Sequence, residues 1–298
     1  MRIALVGGSG FIGSWVLREL GAKHEFVVID AKPVPDALCG SNVTWVAADL
    51  LAANLAPALK GVDGLVHLAA LRVGADHAAE AFGRYLPSVE IAANVFEACC
   101  AANVSNVVHV SSVAAYGARN ARPWTEDQVP HPETCYGVMK VAVETLGDFY
   151  SRCRGLRVKS LRVAQVVGVG ERGGFMLATF FDRAKRGEGL NVFGTGQGRR
   201  EYVYVRDVAS AIGAALARVE LDGVFNVGTG SNTSHLELAE TVNEVFGNKG
   251  NIVLLPDKPD DRAEYLLAVG KAKAELGWQA RWTLRQALED MRDAVASG

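Results

Sequence analysis

Short apolar runs of strand length alternate with helix-type patterns through the first two thirds of the chain. Helical patterns lie near residues 11–21, 78–102 and 134–153. The predicted strands cover residues 2–6, 25–30, 43–48, 64–68, 106–111 and 157–163. This alternation requires parallel strands joined by crossover helices that cover both faces of the sheet. Right-handed crossovers then predict a doubly wound parallel α/β sheet with its binding site at the carboxyl ends of the strands.

The pattern loosens after Gly168, where glycine-rich connectors separate shorter elements. We therefore predict two parts. The first is a dinucleotide-binding domain of residues 1–167, to which residues 202–228 return. The second is a smaller C-terminal α/β substrate-binding lobe formed by residues 168–201 and 229–298.

Composition narrows the class of protein. The chain has 298 residues, 49% of them apolar, which is enough for a substantial core. The net charge of −2 predicts no affinity for nucleic acid or for an anionic membrane surface. The apolar runs are too short to span a bilayer, and the first strand follows Met1 without room for a signal peptide. Five cysteines without metal-site spacing favour a reducing cytoplasm and no bound metal.

A glycine-rich turn joins the first predicted strand to the first helix. Gly7, Gly10 and Gly13 have the spacing of a phosphate-binding turn. Gly7 permits the tight turn, Gly10 lets the backbone approach a pyrophosphate, and Gly13 lets the helix pack close to the strand. The pyrophosphate would bind the N–H groups at the start of the helix, where Phe11 and Ile12 lie. The alternative is a tight turn with a purely structural role.

Asp30 ends the second predicted strand, 17 residues after Gly13. A carboxylate at that position can accept hydrogen bonds from the ribose hydroxyls of an adenosine. It would also repel a 2′-phosphate. We therefore predict NAD rather than NADP as the cofactor.

Tyr136 and Lys140 have the i, i+4 spacing that places two side chains on one helical face. An ammonium near a phenol favours the phenolate, which makes a tyrosine usable as a general base or acid near neutral pH. Upstream, Ser111 and Ser112 end a predicted strand, and a hydroxyl there can bind a substrate oxygen. The alternative is that both serines satisfy backbone groups at the strand end.

Several motifs occur together in a fixed order. They are the glycine turn of 7–13, Asp30, the Asp-Leu pair at 49–50, His-Leu-Ala-Ala at 67–70, Ser-Ser-x-x-x-Tyr-Gly at 111–117, Tyr-x-x-x-Lys at 136–140, Arg-Glu-Tyr-Val-Tyr-Val-Arg-Asp at 200–207 and Leu-Gly-Trp at 276–278. This set resembles the extended short-chain dehydrogenase/reductase family, whose members include NAD-dependent nucleotide-sugar epimerases and dehydratases. The resemblance covers essentially the whole chain and implies a Rossmann fold.

The resemblance implies roles for further residues. Asp49 and Leu50 would contact the adenine, and Leu68, Ala69 and Ala70 would line the nicotinamide side. Ser111, Tyr136 and Lys140 are also counted among the cofactor contacts.

On the substrate side, Ser112 matches the family's catalytic serine or threonine, and it would act with Tyr136 and Lys140. Arg200 matches an arginine that grips a diphosphate, as a charge-assisted donor would. Gln165 and Gly174 stand where the family usually has asparagines that hold the sugar nucleotide. Gln165 is accordingly a predicted substrate contact.

Two positions separate the reactions of this family. Sugar 4,6-dehydratases carry an Asp-Glu pair directly after the catalytic residue, and decarboxylating enzymes carry a glutamate at the second of these positions. Here the residues are Val113 and Ala114. The sequence therefore favours a nucleotide-sugar epimerase, most closely of the UDP-hexose 4-epimerase type.

Three other functions are alternatives to the epimerase. The same site could serve an NAD(P)-dependent sugar 4-ketoreductase or a sugar dehydrogenase. A non-catalytic dinucleotide-binding protein is the alternative from another class.

The apolar helices near 88–102 and 134–153 also predict a homodimer with a four-helix interface, although each could instead be covered by its own lobe.

Overall fold

The computed structural model describes residues 1–71, 81–171, 175–250, 252–259 and 261–296. In chain order, the strands are β1 (Arg2–Val6), β2 (Glu25–Asp30), β3 (Val43–Ala47), β4 (Gly64–His67), β5 (Asn106–Ser112), β6 (Arg157–Val163), β7 (Gln165–Val167), β8 (Leu190–Phe193), β9 (Arg199–Arg200), β10 (Tyr202–Tyr204), β11 (Gly223–Val227), β12 (Thr233–Ser234) and β13 (Ile252–Leu255). The α-helices are α1 (Phe11–Leu20), α2 (Leu86–Ala102), α3 (Cys135–Arg154), α4 (Met176–Lys185), α5 (Val205–Ala217), α6 (His235–Phe246) and α7 (Leu284–Ala296). Within the described ranges, no helix is both long and apolar enough to cross a membrane.

Seven strands form one parallel sheet in the order β11-β6-β5-β4-β1-β2-β3. The predicted fold class, a doubly wound α/β sheet, is confirmed. Six of these strands were predicted from their apolar runs, and each boundary agrees to within one residue. The seventh, β11, contains the short strand predicted around Phe225–Val227 and begins two residues earlier. It pairs with β6 at the sheet edge, so part of the 202–228 segment lies in this sheet.

The sheet is buried on both faces because its central strands carry apolar side chains at successive positions. Ile3 and Leu5 of β1 pack with α1 and α5 on one face, whereas Ala4 and Val6 pack with α2 and α3 on the other. Such strands cannot face water on either side. The carboxyl ends of β1, β2, β4 and β5 therefore meet at one edge, which is left for a ligand.

Helix α3 has well-defined ends. The Thr134 hydroxyl accepts a 3.0 Å hydrogen bond from the Gly137 N–H, and Gly155 ends the helix with φ +76°. The predicted helix near 78–102 began too early. Helix α2 starts at Leu86 with Pro87 in its first turn, after a 3₁₀ turn at Phe82–Arg84. Residues 78–80 of that prediction lie outside the described residues.

A second apolar core lies among α4, α6, α7 and β8. Short two-stranded pairings accompany it, namely β8 with β13, β9 with β12 and β7 with β10. The capping box of Ser234 and Glu237 starts α6 beside the β9–β12 pair. The exact division of the chain into two parts stays a prediction.

Candidate active site

The glycine turn lies at the carboxyl end of β1. Gly7 has φ +80°, and a Cβ added there would lie 2.6 Å from the backbone nitrogen of Ala69. Only glycine fits both the dihedral angle and the close approach to the strand end. Gly10 is the N-cap of α1 and has no side chain with which to cap the helix. The first-turn N–H groups are therefore available to an anion.

Gly13 is required by a different neighbour from the one predicted. A Cβ at Gly13 would lie 2.3 Å from the carbonyl oxygen of Gly8 in the turn. The close packing thus joins α1 to its own loop rather than to the body of the strand. Any larger residue at this position would push the start of α1 away from the turn.

Asp30 lies over the glycine turn, as the sequence predicted for the end of the second strand. One of its carboxylate oxygens accepts hydrogen bonds from the N–H and the hydroxyl of Ser9, at 3.1 and 2.7 Å. The other accepts from the Lys32 N–H at 3.1 Å. Sequence reasoning missed Ser9, which holds the carboxylate in place beside the turn.

The predicted adenine and nicotinamide contacts lie along the same edge of the sheet. Asp49 is exposed and accepts a 3.0 Å hydrogen bond from the Leu51 N–H in a turn that follows β3. The Leu50 carbonyl accepts from the Asn94 side chain at 3.2 Å. Leu68, Ala69 and Ala70 directly follow β4, beside Gly7.

Tyr136 and Lys140 lie on the first two turns of α3. The Lys140 Nζ is 5.6 Å from the centroid of the Tyr136 ring, and Lys140 is only 5% exposed. The same Nζ donates a 2.8 Å hydrogen bond to the Val110 carbonyl of β5. The close approach of α3 to the 3₁₀ turn after β5 depends on Gly137, where a Cβ would lie 2.2 Å from the Ala114 carbonyl oxygen.

Two buried histidines lie near the lysine. His67 of β4 stacks on His109 of β5 with ring centroids 5.5 Å apart. Burial lowers the pKa of His67 to about 3, with a further lowering by the Lys140 charge. The same two causes, with His67 as a third, hold the pKa of His109 well below its ordinary value. Both rings are therefore neutral, and Lys140 is the cation of this cluster.

The two serines at the end of β5 have different partners. The Ser112 oxygen accepts a 3.1 Å hydrogen bond from the Ala114 N–H, which leaves its own proton free to be donated. The Ser111 hydroxyl donates to the carboxylate of Glu144 on α3 and is buried. The Ser111 hydroxyl is therefore hydrogen-bonded inside the protein, and its predicted contact with the cofactor stays a prediction.

Arg200 is held by its own chain. Its guanidinium pairs with Asp261, donates a 2.7 Å hydrogen bond to the Ala263 carbonyl, and lies 4.1 Å from the centroid of the Tyr265 ring. The side chain is 15% exposed. Gln165 is half-buried in β7 and lies directly opposite Tyr202 of the neighbouring strand β10. Gly174, the other position where the family usually has an asparagine, lies outside the described residues.

Two buried carboxylates were missed by sequence reasoning. Glu144 forms a 2.7 Å ion pair with Arg162 of β6, and it lies one helical turn after Lys140. That spacing was the one available signal. Glu201 accepts hydrogen bonds from the N–H groups of Thr229, Gly230 and Leu267 at 2.6 to 2.8 Å. Burial raises the pKa of Glu201, and the three donors act in the opposite direction.

Comparison with known families agrees with this geometry. The model of the NAD dependent epimerase/dehydratase family matches residues 3–228. The chain belongs to this family. NAD is its cofactor, and the site fits that group, since the Gly7 cradle, the uncapped start of α1 and the carboxylate of Asp30 lie together at one edge of the sheet.

Three similar proteins illustrate the range of the family. The UDP-glucose 4-epimerase of Corynebacterium glutamicum is 29% identical, over 97% of this chain and 94% of its own length. The crystal structure of a UDP-N-acetylglucosamine 4-epimerase from Bacillus cereus has a TM-score of 0.89 and 29% identity, and it covers 100% of this chain and 97% of its own. A structure of MoeE5 in complex with UDP-glucuronic acid and NAD has a TM-score of 0.88 and 30% identity, with coverages of 100% and 99%.

Proposed function

We propose that the protein is a nucleotide-sugar 4-epimerase that acts on a UDP-hexose. The observation that carries this proposal is the arrangement of Tyr136 and Lys140 on α3 beside the Ser112 end of β5, at the edge that holds the glycine turn. The 4-epimerases among the similar proteins support the same reaction.

Each side chain has a chemical task in this reaction. Tyr136 as phenolate would accept the proton of the C4 hydroxyl, and Ser112 would donate a hydrogen bond to the same oxygen. Lys140 would stabilise the phenolate, because its ammonium is buried and anchored on β5. NAD, held by the glycine turn and Asp30, would supply the hydride chemistry at C4.

An epimerase must also hold the sugar while the 4-keto intermediate turns over. A diphosphate anchored away from C4 allows this rotation without release. Arg200 supplies a guanidinium for that anchor. The backbone N–H of Gln165 donates a 3.1 Å hydrogen bond to the carbonyl of Glu201, the residue after Arg200. Binding energy at such a remote anchor then serves to orient the reacting carbon.

Elimination or decarboxylation would need further carboxylates beside Ser112. Val113 and Ala114 instead form a short 3₁₀ turn, and neither can supply an acid or a base. This argues for epimerisation over the other reactions of the family. A net oxidoreductase on the same site is the alternative that the next experiment separates.

The decisive experiment follows UDP-glucose and UDP-galactose by NMR without added NAD. We expect the two sugars to interconvert to an equilibrium mixture with no lasting NADH absorbance, and free hexoses to be poor substrates. Stoichiometric formation of NADH from a sugar would instead identify a dehydrogenase with the same Ser112, Tyr136 and Lys140. No turnover at all, with the cofactor bound, would support a non-catalytic dinucleotide-binding protein.

We also propose that the protein forms a homodimer through α2 and α3. On α3, Val138 and Phe149 are exposed large apolar side chains, 41% and 45% accessible. Ala142 and Thr145 lie between them at helical spacing, so the four residues form one stripe. Pairing with a second copy would cover this stripe. The predicted cytoplasmic location stays a prediction.

A further inference from the structure

Five side chains form a continuous series of ring–ring and guanidinium–ring contacts, which we call the aromatic column. It consists of Arg200, Tyr265, Trp124, Tyr116 and Arg162. The Arg200 guanidinium lies 4.1 Å from the Tyr265 ring centroid, and the next two ring pairs are 5.2 and 5.1 Å apart. The Arg162 guanidinium closes the column 4.6 Å from the Tyr116 ring centroid. Guanidinium groups stack well on aromatic faces, so both ends of the column are favourably capped.

One end of the column leads to the catalytic strand. Arg162 forms its ion pair with Glu144, and Glu144 accepts a hydrogen bond from the Ser111 hydroxyl. Ser111 is the neighbour of Ser112 at the end of β5. The position of the Arg162 guanidinium therefore bears on the position of the strand end.

The other end of the column is the proposed diphosphate anchor. Arg200 is neutralised by Asp261, just as Arg162 is neutralised by Glu144. The two cations of the column are thus each paired with a carboxylate, and the stack gains its cation–π contacts without an unpaired buried charge.

The middle of the column is fixed to the backbone on two sides. The backbone N–H of Trp124 donates to the Leu266 carbonyl, and the backbone N–H of Ala268 donates to the Trp124 carbonyl, both at 2.8 Å. The Tyr116 hydroxyl donates to the Asn226 side chain of β11 at 2.9 Å. Trp124 is 2% exposed. The column therefore joins the sheet to the 261–268 segment that holds Arg200.

We propose that the aromatic column sets the distance between Arg200 and the Ser112 end of β5, and that Trp124 is a positioning residue for the reaction. This inference rests on the proposed function, in which Arg200 anchors the diphosphate while C4 reacts beside Ser112. A displacement of about 1 Å between anchor and reacting group can cost roughly 10²-fold in rate. The buried Trp124 and Tyr116 rings at the centre of the column resist such a displacement.

The first test compares Trp124→Leu with Trp124→Phe. Both variants lose the 3.2 Å hydrogen bond from the indole N–H to the Asn120 carbonyl, so they differ in whether a ring remains in the column. We expect kcat/KM for the nucleotide sugar to fall about tenfold or more in the leucine variant and to be largely rescued by phenylalanine. The NAD dissociation constant should change in neither. Phe246→Leu, which removes a ring packed on Phe181 of the second core, is the matched control.

The second test is a double-mutant cycle between the two ends, with Arg162→Lys and Arg200→Lys. Lysine keeps the charge and removes the planar stacking surface. Independent sites would give losses in kcat/KM that multiply to within about twofold. We expect the fold-decrease in kcat/KM of the double variant to be at least about five times smaller than the product of the two single fold-decreases. In the Trp124→Leu background, the fold-decrease of the double variant should equal that product.

Equal effects of leucine and phenylalanine at Trp124, or a multiplicative cycle in an active enzyme, would overturn the column while leaving the proposed function intact. A wild type that converts no nucleotide sugar would overturn the proposed function itself. In that case the same cycle is measured on the dissociation constant of UDP. Multiplicative losses there, or the absence of UDP binding, would overturn the column as well.

Discussion

The Nζ of Lys140 donates a 2.8 Å hydrogen bond to the carbonyl oxygen of Val110, which ties the second turn of α3 to the central strand β5. The bond places the ammonium below the Tyr136 ring and beside the neutral His67 and His109. A cation that is fixed in this way costs no reorganisation when a phenolate forms near it.

Tyr136→Phe should lower turnover by a factor of about 10² or more, because it removes the ionisable oxygen and keeps the ring. NAD binding should survive, since the glycine turn and Asp30 are untouched. Tyr150→Phe is the matched control on the same helix, where the hydroxyl donates to Glu97 instead. Near-normal turnover of the Tyr136 variant in a steady-state assay would exclude Tyr136 as the base.

The extent of sequence-based prediction follows from how local each feature is. The strand runs and the Tyr136–Lys140 spacing are properties of a few consecutive residues, and the corresponding elements are found where they were predicted. The partners of Asp30 and Arg200 lie 21 and 61 residues away, at Ser9 and Asp261. No periodicity encodes such pairings, because they depend on how the strands and connectors assemble.

The early start predicted for α2 has a similar explanation. The apolar pattern continues through residues 81–85, but Pro87 in the first turn favours a helix that begins just before it. A pattern of side-chain polarity reports which residues are buried. It does not report whether they are in an α-helix or in a 3₁₀ turn that precedes one.

Asp30 should make NAD bind at least roughly tenfold more tightly than NADP, because its carboxylate opposes a 2′-phosphate. Asp30→Asn keeps the shape and removes the charge, so it should narrow this preference in calorimetry. Ser9→Ala tests the hydrogen bonds that orient the carboxylate. It should reduce the ratio of the NAD affinity to the NADP affinity by a larger factor than it reduces the NAD affinity itself. Equal affinities of the wild type for the two cofactors would contradict the role of Asp30.

The dimer can be tested with a pair of equivalent charges. Val138 on α3 and Val253 on β13 are both 41% exposed, so a glutamate at either position meets the same degree of solvent contact in the monomer. We expect the wild type to be a dimer by light scattering at micromolar concentration. Val138→Glu should shift it to monomer, and Val253→Glu should leave the dimer unchanged. A monomeric wild type would show that α3 is covered by its own chain or left exposed.

Lys159 provides a test of the buried interior by pH. Its ammonium is buried in β6, and its acceptors among the described residues are uncharged: the Asn106 side chain and the carbonyls of Arg157 and Leu221, at 3.0 to 3.2 Å. Burial lowers the pKa of Lys159 to about 8, although Asp222 and Glu220 act to raise it. In the unfolded chain the same group has its ordinary pKa of about 10.4.

The sign of the effect follows from these two values. Below pH 8 the lysine is protonated in both states, and the full cost of burying the charge is present. Between pH 8 and about 10.4 the unfolded chain binds more protons than the folded protein, so the free energy of unfolding should rise with pH. The slope contributed by one proton is at most about 1.4 kcal/mol per pH unit. Lys159→Met removes this group, so the free energy of unfolding of the wild type minus that of the variant, measured by urea unfolding, should increase as pH rises from 8 to 10. A constant difference across that range would mean that Lys159 keeps an ordinary pKa in the folded protein.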